Sequence, residues 1–389
     1  MIAVGLDVLE SQPRSFSGKR LGLLTNQASV NSHLIHNRIL LQRRFGERLT
    51  TLFSPQHGFY SEKQDNMIES GHSTDILTGL PIYSLYGELR KPSREMLENV
   101  DVLLIDLMDV GTRVYTFLYT MAYCLEAARE YGKQVVVLDR PNPGGGVAVE
   151  GNLLKEEWRS FVGLYSLPMR HGLTFGELAL LINSEYKIGA DLEVIPMQGW
   201  RREMLFRETG LPWVFPSPNM PTPETALVYP GQVIWEGTNI SEGRGTTLPF
   251  ELFGSPFLDH TEVMSFLEKT ELPGCYLRPL LFQPTSGKWA DMVCTGFQLH
   301  VTDPHAYLPY RTSLALLQAL LHLYPQHFKY KDPPYEYEYS KLPMDLILGS
   351  REVREQLEQG MAVESMEERW HQELQEFDQL RREYFLYAQ

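Results

Sequence analysis

Three times within the first 150 residues an apolar run ends in a knot of polar residues and glycine. Residues 49–53 (LTTLF) run into SPQHGFYSEKQD, residues 100–105 (VDVLLI) into DLMDVGTRVYT, and residues 135–138 (VVVL) into DRPNPGGG. Apolar runs this short, bounded by turn residues, read as strands buried on both faces, as in parallel sheets. Ligands of open α/β sheets bind outside the carboxyl ends of such strands. The three knots are therefore expected on one rim, lining one cleft.

The rest of the first half alternates in the same way. RLGLLT (20–25) reads as a first strand and residues 192–195 as a later one, with helices expected over 32–45, 93–99, 115–131 and 174–186. Such alternation, with right-handed crossovers, predicts an α/β fold with a Rossmann-like, doubly wound, mainly parallel sheet. This domain is expected to occupy residues 1–200. Residues 201–389 read as a second, smaller α+β domain that completes the cleft. Residues 211–230, rich in proline and aromatics, are expected to cross the interface as irregular chain. GQVIWEGTN, residues 275–282 and residues 296–301 look like strands; helices are expected over 306–324, 351–359 and 367–384. The tyrosine- and proline-rich stretch KYKDPPYEYEYSKLP reads as solvated packing rather than substrate contact.

A chain of 389 residues suits two domains. Its 49 acidic and 35 basic residues give a net charge of -14, which argues against nucleic acid or an anionic membrane as partner. An anionic small molecule stays possible, since local arginines override the overall field. Cys124, Cys275 and Cys294 are too scattered for a disulfide framework or a zinc site. No HExxH, GxGxxG or GK[S/T] pattern occurs, so neither a metal nor a nucleotide cofactor is expected. No GxSxG elbow points to a serine hydrolase. No apolar run approaches the ~18 residues of a membrane span. The start, MIAVGLDVLE, lacks the basic and apolar segments of a signal peptide, so a cytoplasmic location is expected. The oligomeric state is left open.

The knots hold the candidate chemistry. Residues 106–115 offer Asp106, Asp109, Arg113 and Tyr115 around Gly111, and carboxylates beside an arginine can be held ionised. Residues 55–65 offer His57, Glu62 and Asp65, with Glu62 the most attractive carboxylate for general acid work. Residues 139–146 place Arg140 and Asn142 between prolines, ahead of three glycines that would let a ligand approach. The segment EGTNISEGRGTT (236–247) adds Asn239, Glu242 and Arg244, and SPNMPT before it adds Asn219. Arg113, Arg140 and Arg244 together would suit a carboxylate ligand. Carboxylates, amides, arginines and aromatics in one cleft suit a carbohydrate.

The stretches SPQHGF, DLMDVGTRVYT, LDRPNPGGG, SFVGLYSLPMRHGLTFGELA, PSPNMPTPETALVYPG and EGTNISEGRGTTLPFE resemble the bacterial exo-β-N-acetylmuramidase family. The resemblance runs over nearly the whole chain. It implies a Rossmann-like domain joined to an auxiliary domain, an active site between them, and release of N-acetylmuramic acid from the non-reducing ends of peptidoglycan fragments. It also exposes two departures. The family's strand-end motif is P-E-H-G, and its glutamate is the position proposed for catalysis; here the motif is Pro55-Gln56-His57-Gly58. An amide has no carboxylic proton to give and cannot act as a base. Met108 stands where the family's D-x-Q-D pattern has glutamine.

Three readings follow. Glu62 supplies the missing acid and the chain stays a muramidase; or it cleaves a different N-acetyl amino sugar; or it binds carbohydrate and has lost catalysis. Under the first, Glu62 is the general acid, oriented by Gln56 and His57. Asp106 and Asp109 position the acetamido group or stabilise positive charge at the reacting carbon. Arg113, Arg140 and Arg244 hold the lactyl carboxylate, while Tyr115, Asn142, Asn219, Asn239 and Glu242 contact the rest of the sugar. The expected partner is a small carbohydrate.

Overall fold

The central strands are apolar on both sides because both sides are covered. In the structure, a computed structural model that describes residues 2–12, 16–65 and 67–388, seven strands form one sheet. They are β1 (Leu21–Leu24), β2 (Leu49–Ser54), β3 (Ser73–Thr74), β4 (Pro81–Ser84), β5 (Val102–Ile105), β6 (Gln134–Leu138) and β7 (Asp191–Ile195). Their order is β3-β4-β2-β1-β5-β6-β7. All neighbours are parallel except the edge strand β3, which runs antiparallel to β4. Alternate residues face opposite layers. Leu103, Ile105, Val135 and Val137 enter one core with the helices Phe117–Tyr131 and Phe175–Glu185, whereas Val102, Leu104, Val136 and Leu138 enter another with Gly5–Ser11 and Asn37–Phe45. This is the expected doubly wound α/β layer, and the knots after β2, β5 and β6 all leave from carboxyl ends of parallel strands.

The second half adds an antiparallel sheet of β8 (Leu252–Ser255), β9 (Cys275–Phe282) and β10 (Cys294–Val301), ordered β8-β10-β9. The helix Pro309–Leu323 is buried along most of its length. Trp235, Phe253, Phe297 and Leu314 share a single core with Leu103 and Phe117 of the first half. No helix among the described residues is long and apolar enough to cross a membrane.

Three local expectations are corrected. Residues 223–232 form a helix, not irregular chain: the Thr222 side chain accepts from Thr225 N–H and Pro223 opens the first turn, both strong start signals. Residues 233–237 continue it as a 3-10 turn rather than a strand. A Cβ at Gly231 would lie 1.9 Å from the Pro309 carbonyl oxygen, so this glycine lets the two helices cross in contact. Residues 94–99 are successive turns instead of a helix.

Candidate active site

The knot after β2 ends in a buried hydrogen-bond network. The Gln56 amide oxygen accepts from Thr116 Oγ1 at 2.6 Å, and its nitrogen donates to Glu336 Oε1 at 3.0 Å and to the Tyr86 hydroxyl at 3.2 Å. The Tyr86 hydroxyl donates to the other Glu336 oxygen at 2.7 Å. The Glu336 carboxyl therefore lies beside the Gln56 amide, which fixes it from the strand end. His57 follows with a positive φ of 72°, its Nδ1 2.8 Å from the Lys63 carbonyl. A carbonyl only accepts, so the proton is on Nδ1 and Nε2 is left as an acceptor. Burial pushes the imidazole down to about 4, so it is neutral at physiological pH.

These groups open on a narrow cleft lined from both halves of the chain. Gln56, His57, Tyr115 and Thr116 come from the strand ends, and Tyr229, Glu236, Arg244, Phe250, Tyr335 and Glu336 from the second half. Glu236 accepts from Arg244 at 2.7 Å through one oxygen and from the Tyr335 hydroxyl at 2.6 Å through the other. Arg244 also pairs with Glu242 at 3.3 Å. Residues 58–65 arch over this wall: the Gln64 carbonyl accepts from Asn219 at 3.1 Å and from Arg244 at 3.3 Å.

The two buried glutamates are pushed apart in acidity. For Glu336, burial dominates and raises the carboxyl above the ordinary range, against the hydrogen bonds from Tyr86 and Gln56; the charge of Glu236 adds to the rise. For Glu236, burial also disfavours charge. Arg244, the Tyr335 hydroxyl and Lys288 more than offset it, and the carboxyl lies below its usual range. Carboxyl groups split in this way are how one cleft holds an acid and an ionised carboxylate together.

The structure brings Gln56, His57, Tyr115, Asn219 and Arg244 to this cleft and places the other expected residues elsewhere. Glu62 is exposed and turned back on its own loop, where it accepts from Tyr60 N–H at 3.1 Å; it does not line the cleft. Asp106 and Arg140 are spent on each other, a buried pair at the ends of neighbouring strands that also engages Asn37. Asp109 accepts from Gly111 N–H at 2.7 Å and lies 3.6 Å from His171. Asn142 donates to the Leu173 carbonyl and packs against Gly111, whose φ of 74° and missing Cβ make room for it. Asn239 and Glu242 line an adjoining cavity.

Arg113 is a strut. It is fully buried, and its guanidinium donates to the carbonyls of Asn152, Leu167, Ile347 and Leu348. Arg113→Met leaves four buried carbonyls without their charged donor. Leaving buried acceptors unsatisfied costs about 1–3 kcal/mol. Denaturant unfolding is expected to show a loss in that range; a loss below about 1 kcal/mol would contradict the strut role.

Glu236 and Glu336 were the residues hidden from sequence reasoning. Glu236 stood inside a segment marked as polar and glycine-rich. The signal for Glu336 was the tyrosine density of PPYEYEY, which here buries Tyr335 and Glu336 in the cleft rather than forming a solvated loop.

Residues 21–224 match the family description "Exo-beta-N-acetylmuramidase NamZ, N-terminal", and residues 227–387 match its C-terminal counterpart. The chain is similar to the peptidoglycan beta-N-acetylmuramidase NamZ of Bacillus subtilis (strain 168), 45% identical over 387 residues, covering 99% of this chain and 91% of that protein. Two crystal structures of DUF1343 family proteins from Bacteroides fragilis NCTC 9343 superpose over 100% of this chain and 99% of each of theirs. Their TM-scores are 0.89 at 35% identity and 0.79 at 28% identity. Matched along both halves and by fold, the chain belongs to the exo-β-N-acetylmuramidase NamZ family.

Proposed function

We propose that the chain is an exo-acting glycoside hydrolase that releases N-acetylmuramic acid from peptidoglycan fragments. Family membership supports the substrate class. The single observation that carries the chemistry is the pair of buried glutamates, Glu336 raised and Glu236 lowered, on one aromatic-walled cleft.

Glu336 takes the acid role that the sequence suggested for Glu62, giving its proton to the glycosidic oxygen as the bond breaks. Gln56 is a positioning residue: its amide fixes the Glu336 carboxyl and is itself fixed by Thr116. Glu236 takes the role suggested for Asp106 and Asp109, facing the positive charge that grows at the anomeric carbon. Of the three arginines considered, Arg244 is the one on the cleft. A lactyl carboxylate displacing the Gln64 carbonyl would meet both Arg244 and Asn219.

Hydrolysis of a chromogenic β-N-acetylmuramide by wild type, Glu336→Gln and Glu62→Gln tests this reading. Wild type is expected to release the chromophore, Glu62→Gln to stay within about twofold of it, and Glu336→Gln to fall below it, by less than on a muramyl disaccharide because a chromogenic leaving group needs less help from an acid. Loss of activity in Glu62→Gln with retention in Glu336→Gln would reverse the assignment. An inactive wild type that gains activity as Gln56→Glu would instead favour a carbohydrate-binding protein.

Gln56→Glu has its own signature in an active enzyme. It sets a second carboxyl where an amide now stands 3.0 Å from Glu336. Two carboxyls that close share a proton, and the pair's upper pKa rises. The alkaline limb of the kcat/KM profile is expected to move up by about a unit or more, measured between pH 5 and 10. A downward move would mean that the two groups do not share a proton.

A further inference from the structure

Glu336 stands at the tip of a strained turn. Tyr335 and Glu338 exchange backbone hydrogen bonds at 3.0 Å in both directions, closing a two-residue hairpin loop over Glu336 and Tyr337. Both central residues have positive φ, 47° at Glu336 and 66° at Tyr337. Positive φ at both positions belongs to the primed hairpin turn, which asparagine and glycine ordinarily fill. A glutamate followed by a tyrosine adopts it only when the surroundings hold it there. Two sets of ties are hydrogen bonds: the Tyr335 hydroxyl donates to Glu236, and Gln56 and Tyr86 donate to Glu336.

The third tie is a stacked guanidinium. Arg90, on the loop after β4, is half-buried between the rings of Phe161 and Tyr337, with its Cζ 4.1 Å and 4.4 Å from their centroids. Tyr86 closes the cage at 5.8 Å, and its ring packs edge-on against Tyr337. A planar cation is attracted to ring faces and lies flat on them. Tyr86 donates to Glu336, and Tyr337 follows it in the chain. Two of the three rings that grip Arg90 thus belong to the mount of Glu336. Arg90, Phe161 and Tyr337 are not among the residues that line the cleft, so the cage acts from behind it.

Resting on the reading of Glu336 as the acid, we infer that Arg90 is a positioning residue, clamping the turn that carries Glu336 so that its carboxyl stays aimed at the glycosidic oxygen. The effect is first mechanical. Without the stack, Tyr337 loses its partner, the turn relaxes from its disfavoured φ values, and the carboxyl moves off Tyr86 and Gln56. A misplacement of about 1 Å is enough to cost much of a catalytic step. Charge acts second. Glu336 is faced by Arg90 and Glu236 and by the hydroxyls of Tyr86, Tyr229, Tyr335 and Tyr337; Arg90 opposes the rise that burial and Glu236 impose on its acidity.

The test is a double-mutant cycle read on two substrates. One is the disaccharide of N-acetylmuramic acid linked to N-acetylglucosamine, whose leaving alcohol needs a proton. The other is a nitrophenyl β-N-acetylmuramide, whose leaving group needs little help. Arg90→Met and Tyr337→Ala are each expected to lower the ratio of kcat/KM values, disaccharide over nitrophenyl muramide, by about tenfold. The double variant is expected to fall no further than either single one, because all three lack the same stack. Tyr337→Phe keeps the ring and is expected to keep the wild-type ratio. A merely structural loss lowers both rates and leaves the ratio alone. An unchanged ratio in Arg90→Met, or a double variant that falls by the product of the two single losses, would therefore overturn the inference. Glu336→Gln, run alongside, separates it from the reading beneath it. If the ratio in Glu336→Gln equals that of wild type, or if wild type turns over neither substrate, the acid or muramidase reading fails and the clamp with it. If the ratio falls in Glu336→Gln but not in Arg90→Met, the clamp alone fails.

Discussion

Glu336→Gln is expected to lower kcat/KM on a muramyl disaccharide by about 10²–10⁴, the contribution of a positioned general acid. The loss should shrink as the leaving group improves, because a good leaving group departs without a proton. The pH profile gives the sharper sign. A raised carboxyl is competent while protonated, so wild-type activity holds below its pKa and falls as pH rises through it. In Glu336→Gln that alkaline limb should vanish rather than move. Stability provides the control. A carboxyl raised on folding stabilises fully below its unfolded pKa, and that contribution is lost as pH rises through the folded value. Removing it should therefore flatten the fall in stability on the alkaline side. An inactive variant that has also unfolded at neutral pH would say nothing for an acid, and calorimetric melting separates the two cases. Retention of more than about a tenth of wild-type kcat/KM on the disaccharide would remove Glu336 from the chemistry.

Glu236→Gln is expected to cost about 10²–10³ in kcat with a smaller change in KM, the scale of losing one preorganised group that acts on charge in the transition state. Two effects combine here. The variant loses the negative charge facing the reacting carbon, and Arg244 loses one of its two carboxylate partners inside a buried wall. The sign of the pH effect is opposite to that at Glu336. A lowered carboxyl is ionised above its folded pKa, so wild-type activity is present above that value and lost as pH falls through it. The acid limb is expected to disappear in the variant. Should KM rise while kcat holds, Glu236 binds the sugar equally in ground and transition states, and its assigned role fails.

The scaffold was legible because its signals are local. Short apolar runs with turn residues at their ends place β1, β2, β5, β6 and β7 within a residue or two, and alternation with helices fixes the parallel winding. The site was legible only in part, because ionisable residues carry no mark of their partners. Asp106 and Arg140 lie 34 positions apart and meet only because β5 and β6 are neighbours. Glu62 appeared available because its partner is the backbone of its own loop. Gln56 and Glu336 are 280 positions apart, and no spacing rule joins them. The departure at Gln56 was visible in the sequence, but the carboxyl beside it was supplied by the tertiary fold. Helix 223–232 is hidden for a different reason: a density of proline reads as a breaker, whereas Thr222-Pro223 is a start signal.

The guanidinium of Arg113 bonds to the carbonyls of Asn152 and Leu167 on one side and of Ile347 and Leu348 on the other, within a core common to both halves. The chain is thus matched in two segments but built as one body. Neither segment is a module that recombination could trade alone. Each would leave the other with a torn interior and half a cleft.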